Sequence, residues 1–341
     1  MKAICIQEPG KVVIKEIEKP LRKPGEALLK VLYGGICGSD LGSYRGANAY
    51  VSYPRIPGHE LAAEIVEIDS NDRGLKPGMV VTCNPYFNCG TCYSCRRGLV
   101  NACTDNQTMG VQREGGFAEY ITMPIERIYD GKGIPAKVLA LIEPFCISYH
   151  GVSRANIQRG ERVLVVGAGT IGVLAAVAAK SKGAEVTICD VAEDKLNYAY
   201  QMFGMDHKLL NATPEAFEKG VSDLTGGDGF DVAIEAVGLP STFQNCIDAV
   251  CFGGRMVLIG VSKRNIEDFF FTIIQKKELN IFGSRNAVKQ DFLDLIDLVK
   301  AGGVNLEKVI TNTYKLDDAP KAFEEFSQNA GKMLKVIIDF T

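Results

Sequence analysis

The distribution of apolar residues divides the chain into two parts with different patterns. In residues 1 to about 145, short apolar segments are separated by glycine and proline, and the separators include the Pro-Gly pairs Pro24-Gly25, Pro57-Gly58 and Pro77-Gly78. Short apolar runs between such turn residues are typical of β-strands. We expect strands in VVIKEIEKP, EALLKVLYGGI and LAAEIVEID. This part is therefore predicted to be a β-rich, barrel-like domain.

A different pattern begins at Glu161, where apolar strands alternate with helical segments. RVLVVGAG is a continuous apolar run, and the helical segment TIGVLAAVAAKSKG follows it and ends at Gly183. The alternation continues through AEVTICD, EDKLNYAYQMFG, FDVAIEAVG, STFQNCIDAV and GRMVLIGV. Parallel strands with crossover helices make a doubly wound α/β sheet of the Rossmann type. The tail predicts two helices and a final strand, in QDFLDLIDLVKAGG, KAFEEFSQNA and KMLKVIIDF.

Composition narrows the class of protein. The net charge is −3 and no basic stripe with interleaved aromatic residues is present, which argues against a nucleic-acid partner. No apolar run is long enough to span a bilayer, so no membrane partner is expected. The first residues, MKAICIQEPGKVVI, lack the apolar core of a signal peptide. Eleven cysteines without such a peptide favour a reducing, cytoplasmic location and metal ligation over disulfides.

Four cysteines form the most specific motif of the chain, C-x2-C-x2-C-x7-C, at Cys89, Cys92, Cys95 and Cys103. Four thiolates at such gaps can close on one tetrahedral zinc ion, and a site with no open position is structural. Ferredoxin-type clusters also use such runs, but their fourth cysteine comes sooner and is followed by proline, whereas Thr104 follows here. Four unrelated free thiols are the ordinary alternative.

Gly167, Gly169 and Gly172 form G-x-G-x-x-G between an apolar strand and a helix. In that setting the first glycine makes a tight turn, the second admits a pyrophosphate and the third lets helix and strand pack closely. The pyrophosphate then lies on the unpaired N–H groups of a helix N-terminus. We therefore expect a dinucleotide-binding site.

Asp190 ends the next strand, about twenty residues after the glycines, where an acid can bond a ribose 2′-hydroxyl. A 2′-phosphate would meet a like charge there, so NAD is favoured over NADP. The alternative role for Asp190 is an N-cap of the following helix. The two roles are compatible.

A second, open metal site is suggested by Cys37 in GGICGSD, His59 and Glu60 in PGHE, and Glu143 in LIEPFCISYH. No spacing among them is diagnostic. Cys37 could be a buried apolar thiol, His59 a satisfied core histidine, and Glu143 a helix-start carboxylate beside Pro144.

Taken together, these segments resemble the zinc-containing medium-chain dehydrogenase superfamily of alcohol, sorbitol and threonine dehydrogenases. The matching segments run nearly end to end, in order: GGICGSD, PGHE, the four-cysteine loop, GGFAEY, IEP and GAGTIG. The resemblance implies a catalytic GroES-like domain over 1–146 with a structural-zinc lobe at about 83–106. It further implies an NAD-binding Rossmann domain over 147–286 and a C-terminal segment, 287–341, that returns to the catalytic domain.

The resemblance also implies roles for single residues. Cys37 and His59 would bind a catalytic zinc ion, Glu143 would occupy the third ligand position, and Glu60 would be a nearby carboxylate able to exchange onto the metal. Such an oxygen-rich set resembles polyol and threonine dehydrogenases more than ethanol-oxidising ones. The implied cofactors are two zinc ions and NAD per chain. The implied cofactor-binding residues are Gly167, Gly169, Thr170, Ile171, Gly172, Asp190, Val237, Gly260, Ser284 and Arg285.

The implied reaction is the oxidation of a secondary alcohol by hydride transfer to NAD. Ser39 would take the hydroxyl proton, although an N-cap role in the CGSD turn is an alternative for it. Many relatives carry a histidine five residues after the zinc cysteine, where this chain has Gly42. The relay beyond Ser39 would then use water, ribose hydroxyls or a residue such as Tyr44.

The substrate class follows from IEPFCISYH and GSRNA, which most resemble a bacterial branch containing L-galactonate oxidoreductase and related sugar-acid dehydrogenases. Arg285, next to Asn286, could hold a substrate carboxylate, or could instead contact cofactor or the facing domain. Arg45 and Arg113 are further candidates. Polyols, sugar phosphates, butanediol and L-threonine stay open as substrates, and a non-catalytic NAD- and zinc-binding sensor stays open as a function. A sheet edge near GRMVLIGV suggests a homodimer or homotetramer.

Overall fold

The computed structural model describes all residues 1–341, which divide into two compact units. One unit comprises Met1–Pro144 and Ala287–Thr341, and the other comprises Phe145–Asn286. Each is described by itself below.

The first unit is built around a seven-stranded, mostly antiparallel sheet. Its strand order is Ile310–Lys315, Lys335–Asp339, Glu26–Ile36, Glu60–Ile68, Val80–Cys83 and Ile128–Asp130, and Tyr120–Pro124 also pairs with Glu26–Ile36. Two small sheets pair Lys2–Glu8 with Lys11–Glu16 and Tyr86–Phe87 with Gln107–Thr108. The α-helices of this unit are Gly38–Tyr44, Tyr93–Arg96, Ala136–Leu139, Lys289–Lys300 and Ala319–Gln328. The predicted β-rich first domain is confirmed.

The core of this unit joins residues from both ends of the chain. Ile4, Leu29 and Ile65 from the N-terminal part are fully buried with Phe323 and Val336 from the C-terminal segment. The segment therefore completes the same apolar core, since its strand Lys335–Asp339 pairs with Glu26–Ile36. This pairing places residue 335 next to the end of the strand Glu26–Ile36, which precedes Cys37.

The second unit is a six-stranded, wholly parallel sheet, as the alternating pattern predicts. Its order is His207–Leu210, Glu185–Asp190, Arg162–Val166, Phe230–Glu235, Val250–Leu258 and Asn280–Gly283. Its helices are Thr170–Ser181, Glu193–Phe203, Pro214–Thr225, Pro240–Ala249 and Thr272–Lys276, and Ile142–Arg154 carries the chain from the first unit into the second. Gly204 closes its helix in the left-handed conformation, with φ 62°, as expected for a glycine C-cap.

The sheet edge expected near GRMVLIGV lies one strand further on. Residues Val250–Leu258 have neighbours on both sides, and Asn280–Gly283 is the edge strand. The sequence pattern indicates a strand in GRMVLIGV but carries no information about whether that strand is paired on both sides.

Candidate active site

The four motif cysteines come together in one loop of the first unit. Their sulfur atoms all lie within 4.8 Å of one another, and all eleven cysteines of the chain are unpaired by disulfides. The loop turns backbone N–H groups toward the sulfurs: Cys92 N donates to Cys89 Sγ at 3.3 Å, and Cys89 N to Cys103 Sγ at 3.3 Å. Backbone hydrogen bonds from Thr104 and Cys95 lower the pKa of Cys92 to about 5. Four sulfur donors with thiolate-stabilising N–H groups fit a zinc ion with a closed shell.

A second group of ligand atoms joins Cys37, His59 and Glu60, which also lie within 4.8 Å of one another. Cys37 follows the strand Glu26–Ile36, and Glu60 begins the strand Glu60–Ile68. The two strands pair antiparallel with Gly35 opposite Glu60, so the sheet register brings the two motifs together. A side chain at position 35 would collide with the Glu60 carboxylate, which explains the glycine before Ile36. Soft, imidazole and carboxylate donors in one group fit a zinc ion.

His59 is backed by a buried carboxylate. Asp40 is fully buried, its Oδ1 lies 3.9 Å from His59 Nδ1, and it accepts hydrogen bonds from Cys37 N (2.9 Å) and Gly58 N (3.2 Å). Burial by itself lowers the pKa of His59, but the charges of Asp40 and Cys37 outweigh it and raise that pKa well above its usual value. His59 Nδ1 is buried without a hydrogen-bond partner. Asp40 thus bridges the backbones of Cys37 and Gly58 by hydrogen bonds, and its carboxylate lies beside the His59 ring.

Glu143 lies near this group but outside the set within 4.8 Å. It sits in the first turn of the helix Ile142–Arg154, is 2% exposed, and accepts a hydrogen bond from the Tyr86 hydroxyl. Burial raises the pKa of Glu143 to about 7, although the charge of His59 opposes that shift. Its predicted place as the third ligand stays a prediction.

Lys335 is a functional candidate that sequence reasoning missed. Its Nζ lies 2.6 and 2.7 Å from the two carboxylate oxygens of Glu60 and 3.2 Å from the carbonyl oxygen of Ile36, and the residue is 3% exposed. Burial lowers the pKa of Lys335, but Glu60 and Cys37 outweigh it and raise that pKa. The only signal in the sequence is a lysine that precedes three apolar residues of a strand, and lysines are common on surfaces.

The expected proton-relay residues lie on the short helix Gly38–Tyr44. The N-cap of this helix is Cys37, not Ser39, so the alternative capping role of Ser39 is wrong. A Cβ built at Gly42 would meet only Asn48 Cβ, at 3.8 Å. The ring of Tyr44 packs 5.9 Å from that of Phe323.

Arg45 and Arg113, which were considered for substrate binding, contact other residues of the first unit. Arg45 donates to Ser327 Oγ at 2.9 Å and to the Ser327 carbonyl at 2.6 Å. The Arg113 guanidinium lies 3.7 Å from the centre of the Phe87 ring. Arg285 is exposed and follows the edge strand Asn280–Gly283, as expected.

The glycine motif of the second unit has the predicted geometry. Gly167 follows the strand Arg162–Val166 with φ 110°, and Gly169 is the N-cap of the helix Thr170–Ser181. A Cβ on Gly172 would collide with the Gly167 carbonyl oxygen, which is the close helix–strand approach that its place in the motif predicts. The loop therefore offers N–H groups at the start of a helix, as a pyrophosphate requires.

Asp190 ends the neighbouring strand and braces this loop. Its Oδ2 accepts from Ala168 N at 2.7 Å and its Oδ1 from Ala192 N at 2.8 Å. The N-cap of the next helix is Ala192, so the capping alternative for Asp190 is wrong. Of the other expected cofactor residues, Thr170 and Ile171 open the motif helix, Val237 is 43% exposed, and Ser284 has a buried hydroxyl without a partner.

Comparison with protein families assigns both units. Residues 23–133 match the alcohol dehydrogenase GroES-like domain and residues 170–301 match the zinc-binding dehydrogenase family. No helix of the structure is long and apolar enough to cross a membrane.

Individual relatives agree with this assignment. The chain is 35% identical to L-galactonate-5-dehydrogenase of Escherichia coli K12 over 340 residues, covering 100% of this chain and 99% of the relative. It is 34% identical to L-threonine 3-dehydrogenase of Pyrococcus horikoshii, covering 99% and 98%. A crystal structure from E. coli CFT073, titled a short chain alcohol dehydrogenase in complex with NADH, superposes with a TM-score of 0.91 at 31% identity, covering 100% and 99%. The resemblance predicted from the motifs is therefore confirmed, and the chain belongs to the zinc-type alcohol dehydrogenase family.

Proposed function

We propose that the chain oxidises a secondary alcohol of a polyol or sugar acid of the L-galactonate type and transfers the hydride to NAD. The observation that carries this proposal is the group of Cys37, His59 and Glu60, in which His59 and Glu60 are buried, because these three donors leave room for a further ligand, whereas the four cysteines do not. In this proposal a catalytic zinc ion is held by Cys37 and His59 together with Glu60 or Glu143. The structural zinc ion is held by Cys89, Cys92, Cys95 and Cys103.

Zinc bound there would supply Lewis acidity that polarises a substrate oxygen and lowers the pKa of a hydroxyl. The chain's own residues do the rest. The Asp40 carboxylate lies 3.9 Å from His59 Nδ1 and accepts hydrogen bonds from Cys37 N and Gly58 N, so it holds the backbone beside both proposed ligands. Lys335 pairs with both oxygens of Glu60 and keeps this carboxylate at the rim of the ligand group. Ser39, at the start of the helix that follows Cys37, would accept the hydroxyl proton.

The second unit would bind the dinucleotide. The pyrophosphate would lie on the loop of Gly167, Gly169 and Gly172, and Asp190 would accept a ribose hydroxyl hydrogen bond. NAD is favoured over NADP because the Asp190 carboxylate would repel a 2′-phosphate. NAD bound there would supply the acceptor for the hydride of the carbinol carbon, and the hydroxyl hydrogen would leave as a proton.

The substrate class rests on the relative with 35% identity over the whole chain, whose name specifies L-galactonate. L-Threonine is the second candidate, because a threonine dehydrogenase is 34% identical over nearly the whole chain. A homodimer or homotetramer stays the expected assembly, with the edge strand Asn280–Gly283 as the element that could pair across a two-fold axis.

The test is NADH formation by the zinc-loaded protein on sugar acids, polyols, sugar phosphates, butanediol and L-threonine, with NADP in parallel. We expect turnover on a sugar acid or polyol with NAD, and its loss in Cys37→Ser. The matched control is Cys83→Ser, because Cys83 is a buried thiol of the same unit outside both cysteine groups. Faster turnover of L-threonine than of any sugar acid would select the second candidate. Tight NAD binding without turnover of any alcohol would contradict the proposal and favour a sensor.

A further inference from the structure

Glu235 is a buried carboxylate that the proposed reaction does not use. It ends the strand Phe230–Glu235 of the second unit, is 2% exposed, and has no lysine or arginine partner among the ion pairs of the structure. Burying a carboxylate without a counter-charge is costly unless hydrogen-bond donors surround it. The hydrogen-bond donors around this carboxylate therefore indicate which part of the structure it stabilises.

The donors to the Glu235 carboxylate come from the loop that follows its own strand and from the first turn of the next helix, Pro240–Ala249. Its Oε1 accepts from Val237 N at 2.9 Å, from Gly238 N at 2.7 Å and from the Thr242 hydroxyl at 2.7 Å. The loop is thus folded back over the strand end, with its N–H groups turned inward to the carboxylate. Without this acceptor, two backbone N–H groups would lose their partners, and the N–H of Gly238 is buried.

The main chain of Glu235 binds a second loop. Its carbonyl oxygen accepts from Ile259 N at 2.9 Å and from Gly260 N at 3.1 Å, at the end of the neighbouring strand Val250–Leu258. A Cβ on Gly238 would lie 2.6 Å from the Val261 carbonyl oxygen, so the two loops are in backbone contact. Glu235 therefore joins the loops after two adjacent strands.

The same loop also touches the glycine motif. Ala236 N donates to the Val166 carbonyl at 3.0 Å, and a Cβ on Gly167 would lie 2.7 Å from Val237 Cγ2. Three loops at the carboxyl edge of the parallel sheet thus pack against each other, and this edge is where doubly wound sheets bind dinucleotides. The side chain of Glu235 binds one of these loops, and its main chain binds a second. Glu235 therefore holds both loops in place beside the glycine motif.

We propose that Glu235 is a positioning residue for the nucleotide cradle, which sets the Val237 and Gly260 loops at the distance from the glycine motif that the dinucleotide requires. The inference rests on the proposed function, because it assumes that the second unit binds NAD. Glu235 itself is too deeply buried to contact the cofactor, so its effect is carried by the loop that it holds.

The test compares NADH affinity and thermal stability in Glu235→Gln. Since the chain has no tryptophan, the fluorescence of bound NADH is read without overlap, and circular dichroism gives the melting temperature. Hydrogen bonds to a charged acceptor are the strong ones, so we expect the dissociation constant for NADH to rise about tenfold. Thr242→Val removes one of the three donors and should raise it about threefold.

The matched control is Asp231→Asn. Asp231 lies on the same strand at its amino end, where its Oδ2 accepts from Arg162 N at 2.8 Å, away from the cradle. We expect Asp231→Asn to lower the melting temperature and leave NADH affinity unchanged. If Glu235→Gln behaved like Asp231→Asn, with lower stability and the same affinity, Glu235 would be merely structural and the inference would be wrong.

Two further outcomes are distinguishable. If Glu235→Gln did not fold, the NADH affinity of Thr242→Val would decide, and an unchanged affinity would overturn the inference. If the unaltered protein bound no NADH, the proposed function would fail, and the inference would fail with it.

Discussion

The two candidate metal sites of the first unit are built in opposite ways. The four-cysteine site takes every ligand from one loop, residues 89–103, and three of its cysteines are partly exposed. The Cys37–His59–Glu60 site takes its ligands from the adjacent ends of two paired strands and is backed by Asp40 and Lys335, both nearly fully buried. One site is a local turn with four equivalent donors, and the other is a product of the tertiary fold with unlike donors.

This difference indicates which of the two metal sites can bind a substrate and take part in the reaction. Four thiolates saturate a tetrahedral ion, so the first site has no position for a substrate. In the second site, the Glu60 carboxylate forms a buried ion pair with the Lys335 ammonium. Metal binding by Glu60 therefore competes with this ion pair. A ligand that can be exchanged is compatible with substrate entry, whereas a saturated shell stabilises the loop around it.

The largest effect is expected from breaking the four-cysteine site. Cys103 is fully buried, and Cys103→Ser should remove one zinc ion per chain and lower the free energy of unfolding by about 5 kcal/mol, since loss of a metal is among the most costly single changes. Urea denaturation and metal analysis measure both. We expect molecules that remain folded to keep their turnover, and loss of turnover in fully folded protein would contradict a purely structural role for the four-cysteine site.

His59→Gln should have the reverse effect. Turnover should fall about a thousandfold, which corresponds to about 4 kcal/mol in the barrier, while the four-cysteine zinc ion stays bound. The control is His207→Gln, because His207 is partly exposed and pairs with Glu185 in the second unit. Steady-state kinetics with metal analysis tests this, and near-normal turnover in His59→Gln would contradict the assignment of the catalytic site.

Lys335→Met tests the Cys37–His59–Glu60 site separately, because it removes only the partner of Glu60. The unpaired buried carboxylate should lower the free energy of unfolding of the metal-free protein by about 3 kcal/mol. Zinc should restore part of that stability by binding the freed carboxylate, so the gain in melting temperature on adding zinc should exceed that of the unaltered protein. Lys335→Arg, which keeps the charge, is the control. An equal gain in all three proteins would show that Lys335 does not influence metal binding.

Asp190→Asn should have the smallest effect and leave both metal sites intact. The amide oxygen can still accept from Ala168 N, but the charge that repels a 2′-phosphate is gone. We expect the ratio of kcat/KM with NADP to kcat/KM with NAD to rise about tenfold, as one charge contact allows. The control is Asp206→Asn, which also accepts a backbone N–H, from Val186, in the same unit. An unchanged ratio in Asp190→Asn would remove Asp190 from cofactor selection.

The same contrast explains how far the sequence predicts the molecule. The four-cysteine site and the glycine motif are local, so spacing alone brings their residues together, and the structure has both groups in the expected geometry. Cys37 and Glu60 meet only through strand register, which periodicity does not specify, and the resemblance to a family was needed to pair them. Lys335 and Glu60 are 275 residues apart, and no local pattern connects them.

The N-cap roles expected for two residues and the expected edge strand of the parallel sheet are wrong for a related reason. Ser39 and Asp190 are residue types that favour N-caps, but Cys37 and Ala192 occupy those positions because the preceding strands fix where each helix begins. The edge of the parallel sheet was placed one strand too early, because a strand buried on both sides and a terminal strand have similar composition. The role of Glu235 has no signal in the sequence, because an acid at the end of a mostly apolar strand is not a distinctive pattern.

The most direct test of the account is to remove zinc stepwise from the loaded protein with a chelator. NADH formation on the best alcohol substrate and zinc per chain are measured on the same samples. The account predicts that activity disappears with the first ion to leave, while the second ion stays in the four-cysteine site, and that one added zinc ion per chain restores it. Activity that persists in protein retaining only the four-cysteine zinc ion would contradict the account.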